Sequence, residues 1–284
     1  MAVLSIQSHV VYGYAGNTAA VFPLQRLGRE VWAVNTVEFS NHTGYGAWQG
    51  QVLGAGLVQD LVQGLEERGV LQHCEAVLSG YLGDAEVGQA IMEAVRRVKH
   101  LRPGALYCCD PVMGDVGRGF YVKPGIPEIF KQEVVALADI VTPNQFELEA
   151  LTGLDTGTLE NARRAIDLLH ATGPKVVLVT SFRGNDRQDA HIDMLVSDGS
   201  QVYRSRTPEL PFDMGMAGSG DLTTSIFLSH YLETGDIQRT LELTTASVYG
   251  IMKATFDAQS RELYIIHAQN ELVAPSSLFE VVCW

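Results

Sequence analysis

A glycine-rich turn that ends in an aspartate is the part of the sequence best suited to chemistry. It reads Gly215-Met216-Ala217-Gly218-Ser219-Gly220-Asp221, and the segment from Leu222 to Leu228 that follows is typical of a helix. Glycines let the backbone approach a ligand, and the free N–H groups of a helix start point at an anion. A carboxylate there could take a proton from an alcohol while the amides hold a phosphoryl group. An ordinary turn, with Asp221 complementing the helix dipole, would use the same residues.

The elements that must position this turn follow an alternating pattern. Short apolar runs rich in β-branched residues predict strands over Val3–Gln7, Val31–Thr36, Ala76–Ser79, Leu106–Cys109, Asp139–Thr142 and Val176–Thr180. Amphipathic segments between them predict helices over Gly16–Leu27, Leu57–Arg68, Glu86–Lys99 and Asn161–His170. This alternation predicts an α/β fold with a central, mostly parallel sheet and helices on both faces.

The remaining third of the chain completes this sheet and adds helices. Two short runs flank Asp198-Gly199, which predicts an antiparallel hairpin at the sheet edge. After Asp221 the pattern is mainly helical to about Asn270. Because no linker or repeat interrupts the pattern, we expect residues 1–284 to form one domain.

Polar side chains gather where the predicted strands end. Ser8 follows the first strand, Thr43 lies after the second, and Tyr81 follows the third. The later strand ends carry Asp110, Asn144, Glu147, Thr180 and Ser181. Since open α/β sheets bind ligands beyond the carboxyl ends of their strands, we expect these side chains on one rim.

The motifs at these strand ends resemble those of the pyridoxal kinases, a branch of the ribokinase-like superfamily. The resemblance runs from about residue 3 to about residue 275, with the motifs in the same order. They are Gln7-Ser8-His9, Asn41-His42-Thr43-Gly44-Tyr45, Ser79-Gly80-Tyr81, Cys109-Asp110-Pro111, Thr142-Pro143-Asn144-Gln145-Phe146-Glu147 and Gly218-Ser219-Gly220-Asp221. The resemblance implies a ribokinase-like fold and transfer of a phosphoryl group from ATP to the 5′-hydroxyl of pyridoxal, with pyridoxamine and pyridoxine as further candidate substrates.

The resemblance implies a general base at Asp221. The backbone N–H groups of Gly218, Ser219 and Gly220 would stabilise the oxygens of the transferring group. The family usually has Thr or Val where Ser219 stands. We expect little effect from this difference, since the backbone does the binding there.

Acidic and amide side chains form a candidate metal and nucleotide cluster. Asn144 and Glu147 share one face of a first helical turn, where a carboxylate can orient Mg²⁺ through water. Asp110 can face a metal bound to phosphate, and Asp115 lies in the glycine-rich loop that follows. A plain capping box of Asn144 and Glu147 would use the same spacing, and both roles can hold at once.

Three residues are implied as contacts of the pyridoxal ring. Ser8 and Thr43 would bind ring substituents, and Tyr81 would lie against the ring. The alternatives are a turn-forming serine, a loop hydroxyl and a core tyrosine. His42 is suited to orienting its loop.

The nucleotide side of the site is less sharply marked. Thr180 and Ser181 match strand-end hydroxyls beside the phosphates, although two polar residues can simply end a strand. The segment 114–122 resembles a flap over ATP, with glycines that permit motion and Tyr121 placed to close over the nucleotide.

Composition and net charge limit the kinds of partner and the cellular compartment that we expect. The net charge of −13 at pH 7 and the lack of a basic cluster argue against nucleic acid as a partner. An acidic protein that holds a triphosphate needs Mg²⁺ and a helix N-terminus, and a K⁺ requirement stays open. The sequence predicts no signal peptide and no membrane span, and its four cysteines lack C-x-x-C spacing. We therefore expect a cytoplasmic protein with reduced thiols, and the resemblance implies a homodimer.

Two other functions remain open. A hydroxymethylpyrimidine kinase of thiamine biosynthesis would share the fold and the base. A pyridoxal-binding protein with little turnover would share the ring contacts but would not need a carboxylate beside the anion site. The sequence lacks G-x-x-x-x-G-K-[ST], H-E-x-x-H and G-x-S-x-G motifs, which removes support for P-loop, zinc-protease and serine-hydrolase functions.

Overall fold

The sheet of the protein positions the site. A computed structural model describes residues 2–185, 190–212 and 216–284. The strands, named in chain order, are β1 (Ala2–Tyr12), β2 (Glu30–Asn41), β3 (Gly50–Val52), β4 (Cys74–Ser79), β5 (Leu106–Cys109), β6 (Gly114–Asp115), β7 (Gly119–Phe120), β8 (Ile140–Val141), β9 (Val176–Phe182), β10 (His191–Ser197), β11 (Val202–Pro208) and β12 (Val281–Cys283). In the described residues, ten of them form one sheet in the order β12-β11-β10-β9-β8-β5-β4-β1-β2-β3, and β6 pairs with β7.

The central strands are parallel, as predicted. The parallel pairs join β2, β1, β4, β5, β8 and β9 in turn. The predicted hairpin, β10 with β11, is antiparallel and extends this sheet from β9. Two short antiparallel strands at the edges, β3 and β12, were not predicted from the sequence. Each is only three residues long, which is too short for a hydrophobic pattern to distinguish it from a loop.

Helices cover both faces of the sheet. They are α1 (Asn17–Arg26), α2 (Ala55–Glu67), α3 (Ala85–Leu101), α4 (Ile126–Ile129), α5 (Val135–Leu137), α6 (Gln145–Thr152), α7 (Leu159–Thr172), α8 (Ser219–Thr234) and α9 (Ile237–Asp257). Side chains of α2, α3, α6 and α7 form the core on one face. Side chains of α1, α8 and α9 form the cores on the other face. The fold class predicted from the sequence is therefore confirmed.

The first two strands run further than their apolar segments indicate. Ser8 was expected just after β1, but the strand continues to Tyr12 and pairs with β2 as far as Asn41. The register shifts between Gln7 and His9, so Ser8 lies at an irregularity inside the strand. The apolar pattern did not predict this extension because it contains polar residues. A strand that is buried on only one side can carry them.

Candidate active site

Asp221 lies in the first turn of α8, at the point where two loops meet. Gly218 precedes the helix in the left-handed conformation, with φ of 77°. The Asp221 carboxylate accepts a hydrogen bond from the Gly16 N–H at 2.8 Å, and the side chain is half-buried. Burial raises the pKa of Asp221 to about 6, while the Gly16 N–H lowers it. Such a carboxyl is ionised at neutral pH and is still basic enough to accept a proton.

The turn before α8 requires glycine at position 218 because the backbone of the loop that contains Tyr14 packs against it. A side chain on Gly218 would collide with the carbonyl oxygen of Tyr14, and positive φ already disfavours other residues there. The Ser219 hydroxyl donates to the carbonyl of Met216 at 3.0 Å. The hydroxyl thus stabilises the turn. The first residue of the motif, Gly215, lies outside the described residues.

Asp110 lies beside the start of α8, close to Asp221. It accepts a hydrogen bond from the Thr224 hydroxyl at 3.3 Å and is 4% exposed. A Cβ atom built on Gly220 would lie 3.6 Å from Asp110 Oδ2, so this carboxylate borders the glycine turn directly. Burial, followed by the charges of Glu147 and Asp221, holds the pKa of Asp110 well above its usual range. These carboxylates repel one another, and a bound cation would relieve that repulsion.

Glu147 completes the capping box that its spacing predicts. Its amide N–H donates to Asn144 Oδ1 at 2.9 Å, and Glu147 Oε2 accepts the Asn144 N–H at 2.9 Å. The other carboxylate oxygen accepts the N–H of Met113 at 2.9 Å. Burial raises the pKa of Glu147 to about 8, although these backbone N–H groups oppose the shift. The Glu147 carboxylate therefore holds the loop that follows β5 as well as the start of α6.

The predicted flap is a short hairpin made of β6 and β7. Asn144 Nδ2 donates to the carbonyl of Gly114 at 2.8 Å and to Asp115 Oδ1 at 3.2 Å. The Phe120 ring meets Phe146 edge-on, with centroids 4.9 Å apart. Tyr121 follows β7 and is 46% exposed. Helix α6 therefore holds the flap at its first strand and through an aromatic contact at its second.

Thr180 and Ser181 lie beside Asn144, inside β9 and near its end. The Thr180 N–H donates to the carbonyl of Pro143 at 2.9 Å, and Thr180 is buried. Ser181 has φ of 55°, a left-handed conformation that is uncommon for a residue other than glycine. Strain of this kind is found where a backbone is held for a ligand, as at a nucleotide site.

Two of the three candidate ring contacts, Ser8 and Tyr81, lie beside the loop that carries Gly16. A side chain on Gly16 would collide with the carbonyl and hydroxyl oxygens of Ser8, so Ser8 is packed against it. Tyr81 is half-buried and packs against a cluster that includes Ala15. Thr43 begins a short 3-10 helix and is exposed. The structure thus brings Ser8 and Tyr81 to the loop that contacts Asp221.

Two groups at this site were missed in the sequence analysis. Gly16 is one, because its contact with Asp221 joins positions 205 residues apart. Arg183 is the other: it pairs with Glu209 at 2.7 Å, and burial raises the pKa of Asp115 while the charges of Arg118 and then Arg183 oppose that rise. A glycine just before a helix was the available signal for Gly16. Nothing in the sequence marks Arg183.

Comparison with known proteins identifies relatives over the whole chain. Residues 66–264 match the family described as phosphomethylpyrimidine kinase. The chain is 50% identical over 283 residues to pyridoxal kinase PdxY of Granulibacter bethesdensis, covering 98% of each chain. It is 51% identical over 280 residues to pyridoxal kinase PdxY of Rubrobacter xylanophilus, covering 98% of this chain and 96% of the other.

A solved structure supports the same relationship. The pyridoxal kinase of Leishmania donovani in complex with ADP and pyridoxine superposes with a TM-score of 0.92 at 30% identity, covering 99% of this chain and 98% of that one. The same enzyme in complex with ADP and pyridoxamine gives a TM-score of 0.91. Within the described residues, no helix of this chain has the length and apolarity that a bilayer crossing requires.

Proposed function

The chain belongs to the pyridoxal kinases of the phosphomethylpyrimidine kinase family, and from that premise we propose how it phosphorylates its substrate. It is an ATP-dependent kinase that converts pyridoxal to pyridoxal 5′-phosphate in vitamin B6 salvage. Relatives that bind pyridoxine and pyridoxamine with ADP support both as further substrates. The observation that carries the proposed mechanism is Asp221, held by the Gly16 N–H at the start of α8.

Asp221 acts as the general base. It takes the proton of the 5′-hydroxyl as that oxygen attacks the γ-phosphorus of ATP, and ADP leaves. The N–H groups of Gly218, Ser219 and Gly220 stabilise the equatorial oxygens of the transferring group. Because the transition state is loose, positioning and charge stabilisation supply most of the rate. The pKa of about 6 for Asp221 suits a base that works near neutral pH.

The carboxylates of the site fit Mg²⁺. Asp110 and Glu147 supply hard oxygen donors, and burial first, with neighbouring carboxylates after it, raises their pKa values, a cost that a divalent cation would offset. No cluster of three His, Cys, Asp or Glu side chains suited to a metal occurs in the part of the chain described. Water and phosphate oxygens of ATP would therefore complete the coordination. Bound Mg²⁺ would neutralise charge on the phosphates, and a K⁺ requirement stays open.

The nucleotide binds along α6, β9 and the flap. We assign its phosphates to Asn144, Thr180 and Ser181 and closure over it to Tyr121, and we place Asp115 in the flap beside the nucleotide. Two observations support this assignment: the left-handed backbone of Ser181 and the hydrogen bond that attaches the flap to Asn144. Ser8, Thr43 and Tyr81 bind the pyridoxal ring from the other side of Asp221.

Hydroxymethylpyrimidine is the competing substrate, because the matching family is described as phosphomethylpyrimidine kinase. Identity of 50% to a pyridoxal kinase over nearly the whole chain favours pyridoxal. Both alcohols should be offered together at limiting ATP, with the products separated by chromatography. We expect at least about tenfold higher kcat/KM for pyridoxal, since unpaired polar groups in a site built for the phenol are costly. Tyr81→Ala should reduce that preference more than it reduces ATP affinity.

Preferential phosphorylation of the pyrimidine would overturn this substrate assignment. Binding of pyridoxal without measurable turnover would instead support the binding-protein alternative. The ATP affinity of the Tyr81→Ala variant serves as the control for its folding.

A cytoplasmic homodimer is the state we propose for the working enzyme. The four cysteines are free thiols, as a reducing compartment would keep them, and ATP is a cytoplasmic substrate. At the end of β1, Val11 and Tyr12 are 75% and 61% exposed, which is suited to contact with a second copy of the chain. Sedimentation equilibrium tests the dimer directly. A single species of the chain's own mass, 31.0 kDa, would contradict it.

A further inference from the structure

A carboxylate from the C-terminal segment joins two loops of the substrate side. The Glu262 carboxylate uses one oxygen for each loop. Its Oε1 accepts the Tyr45 hydroxyl at 2.5 Å, and its Oε2 accepts the N–H of Tyr14 at 2.9 Å. Tyr45 ends the 3-10 helix that starts at Thr43, and Tyr14 lies two residues before Gly16. One side chain therefore contacts both the loop of a proposed ring contact and the loop that holds Asp221.

A second contact between the same segments strengthens this connection. The Arg261 guanidinium lies over the Tyr45 ring, with Cζ 3.7 Å from the ring centroid. The ring of Tyr12, at the end of β1, lies edge-on to the ring of Tyr45, with centroids 6.0 Å apart. Tyr45 is thus held by its hydroxyl, its face and its edge, although its loop is otherwise exposed.

The C-terminal segment is built to hold Glu262 in place. After α9 the chain turns at Gln259, whose φ of 50° is left-handed. The Ser260 hydroxyl donates to the Glu262 carbonyl at 2.6 Å and accepts the Glu262 N–H at 3.2 Å. The next residue, Leu263, is 2% exposed in the core under α1 and α8. The bonds from the Gln259 and Ser260 N–H groups to Phe256 and Thr255 end α9 in a Schellman motif, and the Ser260 bonds and buried Leu263 fix the backbone on both sides of Glu262.

The space around Glu262 is matched to its carboxylate. A side chain on Gly13 would collide with that carboxylate, and the positive φ of Gly13 likewise disfavours other residues. Burial, and then the hydrogen bond to Glu262, raise the pKa of Tyr45, so its hydroxyl stays protonated and able to donate. The absence of a side chain at Gly13 and the hydroxyl of Tyr45 thus both accommodate the Glu262 side chain.

The geometry points to Glu262 as a positioning residue that fixes the substrate loop, residues 42–46, against the loop that carries Gly16. It does not touch the reacting atoms. It holds Thr43 at a set distance from Ser8 and Asp221, so that the ring is bound in one orientation. This inference rests on the proposed function, because it assumes that the loop of Thr43 contacts the ring.

Kinetics of three variants test this role. Glu262→Ala removes both hydrogen bonds, and Tyr45→Phe removes one hydroxyl. Each should raise the KM for pyridoxal at least about fivefold, with kcat and the KM for ATP within about twofold, because a charged hydrogen bond that orders a loop is lost. Glu262→Gln can still accept from the Tyr14 N–H and donate to the Tyr45 hydroxyl, so it should retain most of the wild-type affinity.

The double variant Tyr45→Phe/Glu262→Ala should be no worse for pyridoxal than Glu262→Ala alone, since the two residues act through one contact. Hydrogen exchange of residues 42–46 should rise in Glu262→Ala. Asp257→Asn is the matched control, because this carboxylate lies at the end of α9, shortly before Glu262, and pairs with Lys253 at 2.7 Å, away from both loops. It should change neither measurement.

An unchanged KM for pyridoxal in both Glu262→Ala and Tyr45→Phe would overturn the inference. An equal rise in the KM for pyridoxal and the KM for ATP would overturn it as well. If Glu262→Ala does not fold, Tyr45→Phe decides alone, because it removes only a hydroxyl from a surface loop. Wild-type enzyme without pyridoxal turnover would instead contradict the proposed function, and the two failures are therefore distinguishable.

Discussion

Asp221 combines two properties that a base for alcohol phosphorylation needs. It lies in the first turn of α8, at a helix start that is suited to an anion, and it is held in place by the Gly16 N–H at 2.8 Å. Its neighbours Asp110 and Glu147 are more strongly shifted towards the neutral form. The surroundings of these carboxyls thus give them different pKa values. Asp221 stays ionised at neutral pH, whereas Asp110 and Glu147 would be ionised more easily beside a cation.

The first residue-scale prediction concerns removal of this base. Asp221→Ala should lower kcat by about two to four orders of magnitude, the usual range for a positioned base. Pyridoxal affinity should persist, because the ring contacts lie elsewhere. Stopped assays with purified, folded variant measure the loss. Asp236→Ala is the control: Asp236 caps α9 through the Arg239 N–H at 3.0 Å, so it should cost stability and leave turnover intact. A variant at position 221 that keeps more than about a tenth of wild-type turnover would refute the base.

The pH dependence of turnover follows from the same carboxyl. A base must be ionised, and burial raises the pKa of Asp221 to about 6. Below that pH the protonated fraction grows, so kcat should fall by about tenfold for each further pH unit. A kcat profile between pH 5 and 8 checks this, with ATP-analogue binding at each pH as the control for folding. A flat profile down to pH 5 would assign the base elsewhere.

At the scale of elements, α6 links the nucleotide side to the flap. Its N-cap residue, Asn144, uses its oxygen to cap the helix and its amide group to hold Gly114 and Asp115 of the hairpin. The capping box was readable from spacing alone. The attachment of the flap was not, because the bonds to Gly114 and Asp115 span 30 and 29 residues.

Asn144→Asp separates these two roles. Aspartate is an equally good N-cap, so α6 should stay capped, and the free energy of unfolding should fall only by about 1 kcal/mol for the lost hydrogen bonds of the amide group. It cannot donate to Gly114, and it places a second carboxylate beside Asp115, so the KM for ATP should rise by about threefold or more. Steady-state kinetics with urea unfolding measure both.

Thr158→Ala is the control for capping. It removes the cap of α7, in which Thr158 accepts the Asn161 N–H at 3.2 Å, away from the flap. It should cost about 1 kcal/mol of stability without changing the KM for ATP. An unchanged KM for ATP in Asn144→Asp would show that the flap does not depend on Asn144.

For the whole molecule, the site concentrates negative charge in a protein that is already acidic. Net charge is −13, and Asp110 after β5, Glu147 in the first turn of α6 and Asp221 in the first turn of α8 lie close to one another. A carboxyl whose pKa is raised by folding favours the folded state at low pH. That contribution is lost as pH rises through the folded value, about 8 for Glu147. The ligand-free enzyme should therefore lose stability as pH rises from about 5 to 8, and Mg²⁺ with ATP should restore it.

Asp110→Asn tests this electrostatic account. The amide can still accept from Thr224 but carries no charge, so the Tm of the ligand-free protein at pH 8 should rise by about 2 °C or more. Its Mg²⁺ requirement for turnover should increase. Thermal melts and Mg²⁺ titrations check both. Asp139→Asn, which breaks a pair with Lys99 at 2.6 Å away from the site, should instead lower the Tm. A lower Tm together with an unchanged Mg²⁺ requirement in Asp110→Asn would contradict the account.

The sequence by itself determined the fold class, the order of the central strands and helices along the chain, and the glycine turn with Asp221. These depend on hydrophobic periodicity and on short motifs, which are local properties. Ser8, Tyr81 and Asp110 could be chosen as candidates because parallel strands end on one edge. Their roles stay predictions.

Only the tertiary structure decided which residues complete the site. The Gly16 N–H, the Asn144 contact with the flap and the Glu262 link between loops each join segments that are distant in sequence. The extension of β1 to Tyr12 was also hidden, because its partner strand supplies the hydrogen bonds that its composition does not indicate. Hydrophobic pattern fixes which face of an element is buried, but pairs of polar groups are selected by distance and direction, which exist only once the chain is folded.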